Sequence, residues 1–218
     1  VLRCVFMIKI IFYIAIIIIF LKVIIETFFM KKQCSFDIYF GVPGSGKTTF
    51  AAYLSKKRLK KKGTVYSNVP IKGTYQLNPV EDLGTYDTSN ALIIVDEAGI
   101  EYNNRNFKNF KKNNLEFYKY HRHYKCDVAI FSQDYADMDL KLRKLATQYF
   151  LVQKSFFPFF IKRKLIRKKI GIDDLTHDII DQYYFVLFGS KWIFCPKLWK
   201  MFNTEEHKEL PKKNWIKY

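Results

Sequence analysis

The apolar residues of this chain gather in short, dense runs separated by longer polar stretches. Phe36–Phe40 (FDIYF), Thr64–Val69 (TVYSNV), Ala91–Glu97 (ALIIVDE), Asp127–Phe131 (DVAIF) and Tyr149–Gln153 (YFLVQ) each have the length and β-branched or aromatic content of a strand. ALIIVDE is apolar on both faces until its last two residues, as a buried parallel strand is. Thr49–Lys62, Glu101–His123 and Met138–Ala146 carry helical patterns between the runs. Ile71–Asn90 is loop-rich, with turn signals at Lys72-Gly73, Asn78-Pro79 and Ser89-Asn90. Strands alternating with helices predict an α/β domain, a mostly parallel central sheet flanked by helices. Tyr183–Phe194 adds apolar strand-like segments, and Asn203–Tyr218 is a charged tail.

A different pattern opens the chain. Val5–Met30 is strongly apolar, and its uninterrupted core, Ile10–Leu21, is bracketed by Lys9 and Lys22. That core is shorter than the ~18 residues of an unambiguous membrane span, but lysines can snorkel to the interface and extend it. The reading adopted is an N-terminal transmembrane helix, single-pass. Lys31-Lys32 and the basic domain behind them put the C-terminal side in the cytoplasm by the positive-inside rule. A buried β-rich segment, and a translation start at Met30, are the two alternatives. The expected organisation is a hydrophobic anchor over 1–30, a nucleotide-binding domain over 31–195 and a basic tail over 196–218.

Composition adds one fact to this. The chain of 218 residues has a net charge of +17, which points to an anionic partner, nucleic acid or anionic lipid. Two stretches concentrate the charge: Lys56–Lys62 (KKRLKKK) and Phe156–Lys169 (FFPFFIKRKLIRKK). The second interleaves aromatic rings with cations. It reads equally as a tracker of single-stranded DNA, a membrane-surface segment or a basic β-hairpin at the sheet edge. Four cysteines (Cys4, Cys34, Cys126, Cys195) lie far apart without a C-x-x-C pair, which implies neither a zinc site nor a disulfide framework.

The chemistry starts between the first strand and the first helix of the α/β domain. Gly41-Val42-Pro43-Gly44-Ser45-Gly46-Lys47-Thr48 fits the phosphate-loop pattern G-x-x-x-x-G-K-[ST], with Thr49 following. Backbone amides of such a loop, at a helix N-terminus, cradle the phosphates of ATP. Lys47 is expected on the β- and γ-phosphates and Thr48 on Mg²⁺. About fifty residues on, with another strand between, ALIIVDE delivers two carboxylates to the carboxyl edge of the sheet, where open α/β sheets bind ligands. Asp96 is expected to help hold Mg²⁺, and Glu97 to activate the attacking water. The arrangement fits the branch of P-loop NTPases with an additional strand and a catalytic Glu. Gln133, after the fourth strand, is the candidate sensor of the γ-phosphate or lytic water, with Ser132 second. Arg122, Arg143 and Arg105, in that order, are candidates for a cation acting on a neighbouring subunit's ATP. Three function classes are open: a membrane-associated oligomeric ATPase, a small P-loop kinase that phosphorylates a nucleotide or metabolite, and a nucleotide-gated binding protein.

The set GVPGSGKTT (41–49), SNVPI (67–71), LIIVDEAG (92–99), YHRHYKCDVAIFSQD (120–134) and LKLRKL (140–145) resembles the zonula occludens toxin (Zot) family, the assembly ATPases of filamentous phages, over about residues 36–155. The resemblance implies ATP-driven assembly and extrusion of a filamentous phage at the host inner membrane. It also implies a homo-oligomer, ring-like, that meets phage single-stranded DNA, coat and assembly proteins and membrane lipid. The family's phosphate loop falls on Gly41–Thr48, its acidic pair on Asp96-Glu97 and its post-strand Gln on Gln133. The order of parts departs from the family, whose membrane span follows the ATPase domain; here the apolar stretch precedes it.

Overall fold

The computed structural model describes residues 12–22, 34–98, 112–135, 138–172 and 179–203. The chain divides into two units, Val1–Gln33 and Cys34–Tyr218. In the first, residues 12–22 form helix α1. At about 1.5 Å per residue it covers roughly 16 Å, half of a bilayer core of about 30 Å. Among the described residues no helix is long and apolar enough to cross a membrane. The remainder of the expected span lies outside the described residues.

The second unit is built on one eight-stranded sheet. Its strands are β1 (Phe36–Phe40), β2 (Thr64–Ser67), β3 (Tyr75–Gln76), β4 (Ala91–Val95), β5 (Asp127–Ser132), β6 (Gln148–Lys154), β7 (Phe160–Ile172) and β8 (Ile179–Phe194). The order is β3-β2-β4-β5-β1-β6-β7-β8. Every pairing from β3 to β6 is parallel, and β6-β7-β8 is antiparallel. Strand β5 lies between β1, which carries the phosphate loop, and β4, which carries the acidic pair. The strand expected between them in the chain, β2, sits on the far side of β4, while β5, between them in space, follows the acidic pair in the chain. The fold is α/β, with a mostly parallel central sheet that resembles the sheet of P-loop NTPases.

Strand alternation sends side chains to two cores. Phe36 and Ile38 join Ile93, Val95, Val128 and Ile130 on one face. Helix α3 (Lys112–Tyr120) covers that face with Phe117 and Tyr118, and α4 (Leu140–Leu145) adds Leu142. Tyr39 points the other way, with its ring 4.9 Å from those of Phe50, Phe131 and Phe150. Phe50 belongs to α2 (Lys47–Leu59), whose Ala51 and Ala52 are also fully buried. Small residues there let the helix lie close to the sheet beside the loop that begins it.

Two expectations change. The segment 71–90 contains a strand, β3, two residues long and paired with β2. The basic stretch after Phe156 forms β7, which pairs with β6 on one side and antiparallel with the terminal strand β8 on the other, a basic β-hairpin at that edge of the sheet as one of the alternatives had it. Residues 196–203 do not begin a separate tail. Helix α5 (Pro196–Trp199) buries Leu198 in the same core as α2, and the Met201 carbonyl accepts from the Lys72 amide. The expected loose tail beyond 203 lies outside the described residues. Of the run 56–62, Arg58 crosses the amino ends of the strands, donating to Asp127 and to the Asn90 carbonyl, while Lys57, Lys60, Lys61 and Lys62 face solvent.

Asp37 is a charged residue in the middle of this packing. Its Oδ2 accepts from Ser35 Oγ and Tyr39 Oη, while Oδ1 is buried with no hydrogen-bond partner among the described residues. Burial pushes its pKa up from 3.8 to about 6. A carboxyl raised in the folded state holds its proton more tightly there than in the unfolded chain. Its stabilising contribution is therefore full below pH 3.8 and is lost as pH rises through about 6. At about 1.4 kcal/mol per pH unit, the loss is on the order of 3 kcal/mol. Asp37→Asn is expected to be the more stable protein at pH 7 and to lose that advantage by pH 4. Urea midpoints of both proteins across that range check this; equal midpoints at pH 7 would remove Asp37 as a source of strain.

Candidate nucleotide site

Strand β1 ends at Phe40, and the chain turns through Gly41–Gly46 into α2. Two of the glycines are required by geometry. A Cβ on Gly41 would sit 2.3 Å from the Val152 carbonyl oxygen of β6. Gly46 caps α2 at φ +96°, and a Cβ there would sit 2.7 Å from Ile161 Cγ2. A side chain at φ > 0 is strained even before it meets those atoms. The Ser45 amide donates to the Val42 carbonyl, closing the loop. Val42, Pro43 and Gly44 form its solvent-facing rim.

Lys47 and Thr48 open the helix and point back over the loop. Lys47 Nζ donates to the Gly41 carbonyl at 2.8 Å and the Val42 carbonyl at 3.3 Å. Burial lowers its pKa, while the charges of Asp96 and Glu97 act to raise it. Thr48 Oγ1 donates to Asp96 Oδ2 at 2.8 Å. The phosphate loop and the acidic pair, 48 residues apart in the chain, thus meet at one atom pair.

Asp96 is almost wholly buried at the end of β4. Burial raises its pKa, opposed by the Thr48 hydroxyl, the Glu97 amide and Lys47. Its backbone is clamped by Asn68, just past the end of β2. Asp96 N–H donates to Asn68 Oδ1 at 2.8 Å, and Asn68 Nδ2 donates to the Asp96 carbonyl at 2.9 Å. The side-chain amide continues the β2-β4 pairing by one more step and fixes the Asp96 backbone, while Thr48 holds the carboxylate. Glu97 then turns at φ +52° and is exposed. The left-handed turn aims two adjacent carboxylates differently: Asp96 inward onto Thr48, Glu97 outward to solvent.

Gln133 directly follows β5 and is exposed. Because Ser132 pairs with Phe40 on one side, Gln133 leaves the sheet level with Gly41. It therefore emerges at the carboxyl edge, between the phosphate loop and the acidic pair. Ser132 is buried and donates to the Asp134 carbonyl, so its hydroxyl is used within its own turn. The arginines are elsewhere. Arg122 lies in the turn before β5, at the amino end of the sheet, and is exposed; a strand of six residues separates the two ends by about 20 Å. At that distance Arg122 does not reach the loop of its own chain. Arg143 on α4 packs its guanidinium over the Tyr135 ring, and its carbonyl accepts from Tyr149 Oη. Arg105 lies outside the described residues. His121 is a buried core histidine, with Nδ1 against the Tyr118 carbonyl and its ring edge-on to Phe36.

The residues suit Mg²⁺. A hydroxyl and a buried carboxylate already in contact are hard oxygen donors, the set Mg²⁺ takes together with phosphate oxygens. Thr48 and Asp96 would hold it, and it would neutralise charge on the phosphates. Two site residues are not evident from the sequence. One is Asn68. The other is Lys154 at the end of β6, whose Nζ comes to 3.8 Å from where a Cβ on Gly44 would sit. It sets a second ammonium over the loop, from the opposite side to Lys47's carboxylate partners.

The family model for Zonular occludens toxin (Zot) matches residues 74–156, so the resemblance carried by the sequence motifs holds. The N-terminal domain of zonular occludens toxin from Neisseria meningitidis is similar in fold: 17% identity, 79% of this chain and 100% of that chain covered, TM-score 0.54. The genome packaging NTPase B204 from Sulfolobus turreted icosahedral virus 2, in complex with ATP-gammaS, aligns at 12% identity over 70% of this chain and 98% of that one, with a TM-score of 0.45. No curated protein matches the chain.

Proposed function

We propose that this protein is a membrane-associated P-loop ATPase that hydrolyses ATP to drive assembly and extrusion of filamentous phage at the host inner membrane. The observation that carries the ATPase reading is the Thr48–Asp96 contact. It joins the phosphate loop to an acidic strand end, with Glu97 exposed beside it and Gln133 emerging from the strand between. A carboxylate free to take a proton from water, next to a triphosphate cradle, favours hydrolysis over transfer to a bound acceptor. The strand β5 between β1 and β4 argues against the small-kinase alternative in the same way. The phage-assembly part rests on the likeness to the Zot family and on the basic, apolar-headed chain.

A second reading, a DNA-translocating ATPase unrelated to phage assembly, is favoured by the solvent face of β7-β8. That face alternates cations and rings: Lys162 lies over Trp192, Lys164 over Phe185, and Phe160 against Phe194. Such a face suits unpaired bases and phosphates.

Arg122, at the amino end of the sheet and away from its own site, fits a catalytic cation supplied by a neighbouring subunit. Hydrolysis per subunit is then expected to rise with protein concentration until a homo-oligomer is full, and to rise again with single-stranded DNA if the basic face engages it. A rate per subunit independent of both would sink the shared site and the translocase reading together.

A further inference from the structure

A cavity of about 270 Å³ adjoins the phosphate loop on the β6-β7 side. That is near the low end of the roughly 300–1,000 Å³ of small-molecule sites, room for part of a nucleotide. One wall is the loop-helix junction, Gly44, Ser45, Gly46 and Thr49. The opposite wall is aromatic: Phe159 from the β6-β7 turn and Trp199 from α5, with ring centroids 6.2 Å apart. Both rings are about half exposed, at 55% and 48%. Ser45, on the loop wall, has a buried hydroxyl with no hydrogen-bond partner among the described residues.

The wall is built, not incidental. The Cys195 amide donates to the Phe159 carbonyl at 2.8 Å, tying the turn to the start of α5. The Ser155 amide donates to the Phe160 carbonyl, and the Phe157 amide to Ser155 Oγ. Phe159 is held at φ +67°, a conformation a bulky residue adopts only under constraint.

Strand order then says which end of a nucleotide lies here. The acidic pair stands two strands from the loop on the β5-β4 side, and Gln133 emerges on that same side. The γ-phosphate must face them if hydrolysis occurs as proposed. The nucleoside end must leave the loop the other way, toward β6 and β7, past the Lys154 ammonium. We propose that this aromatic cavity receives the nucleobase and its ribose, the base stacking on Trp199 and Phe159. The inference rests on the phosphate-loop reading above and adds to it the source of base affinity.

The test compares two ligands on the full chain: MgATP, and magnesium tripolyphosphate, which has the phosphates without the nucleoside. Affinities are read by calorimetry for wild type, Trp199→Ala, Trp199→Phe and Phe159→Gly. Stacking one base on one ring is worth about 1–3 kcal/mol, so Trp199→Ala is expected to weaken ATP roughly 5- to 150-fold. Tripolyphosphate should bind unchanged, and Trp199→Phe should restore most of the ATP affinity. Glycine accepts the positive φ at 159, so Phe159→Gly repeats the comparison at the second ring in an undisturbed turn. A variant that loses both ligands has lost its fold, and the other variant then decides. Wild-type binding of both ligands, with an ATP-to-tripolyphosphate ratio that neither variant moves, overturns the base slot alone. Wild type that binds neither ligand overturns the phosphate site and the slot with it.

Discussion

Lys47→Ala is expected to abolish measurable ATP hydrolysis and to weaken ATP binding, while leaving the fold in place. The ammonium lies across the loop, 2.8 Å from the Gly41 carbonyl, where it is aimed at whatever the loop cradles. Its environment is not one that structure alone would favour. Burial works against the charge, and the carboxylates of Asp96 and Glu97 are what offset it. A cation kept in such a place is positioned for phosphate. Losing one preorganised donor of this kind costs about 10²–10³ in turnover, with loss of ground-state affinity added to it. The structural loss is small. Gly41 and Val42 carbonyls lose a donor, a net cost of about 1 kcal/mol per hydrogen bond, and Val42 at 70% exposed lies at a rim that water can reach. Circular dichroism should therefore be unchanged, with ATP hydrolysis and calorimetric ATP binding both lost. A variant that keeps even a tenth of wild-type turnover would mean that the loop does not bind the reacting phosphates.

The parts of this site that can be read in the sequence are those whose neighbours in the chain are also their neighbours in space. Phe36–Phe40 reads as a strand with the boundaries observed, because an apolar run is followed at once by glycines and a helix. The acidic pair is legible because a continuous apolar run ends on it, and in an α/β sheet that end is the ligand edge. Asn68 is not. A polar residue after a strand looks like any loop residue, and its role appears only when β2 pairs with β4 and brings Asp96 alongside. Lys154 is one more lysine in a lysine-rich chain until β6 pairs with β1 and lays it beside the loop. The strand β3 has two exposed residues and no periodicity to show. Helix α5 is a single turn, legible neither by length nor by pattern. The arginines illustrate the limit from the other side. Their sequence neighbourhood suggests a catalytic role, and the fold sets Arg122 at the far end of the sheet and Arg143 on Tyr135.

The second large effect is expected from Glu97→Gln, and it differs in kind. A glutamine at this position would have the same shape, would follow the same φ of +52° without new strain at Cβ, and would leave Asp96 on Thr48 untouched. Nothing that cradles phosphate changes. What is lost is a carboxylate able to accept a proton from the attacking water, a role worth about 10²–10⁴ in rate. ATP should therefore bind with unaltered affinity and stay bound, its turnover reduced by that factor. The comparison with Lys47→Ala is what gives the pair its force: one variant loses ligand and rate together, the other loses rate alone. Isothermal calorimetry and single-turnover hydrolysis on the same preparation separate the two. If the carboxylate instead only orients Mg²⁺ or the fold, Glu97→Gln should weaken MgATP and slow turnover in parallel. If it has no role, turnover should match wild type, and the exposed carboxylate beside Asp96 would then be an ordinary strand end. Of the two acidic residues, the buried one is hydrogen-bonded through its carboxylate, and the exposed one makes no side-chain hydrogen bond among the described residues. That asymmetry is why Glu97, rather than Asp96, is the base whose loss should trap ATP.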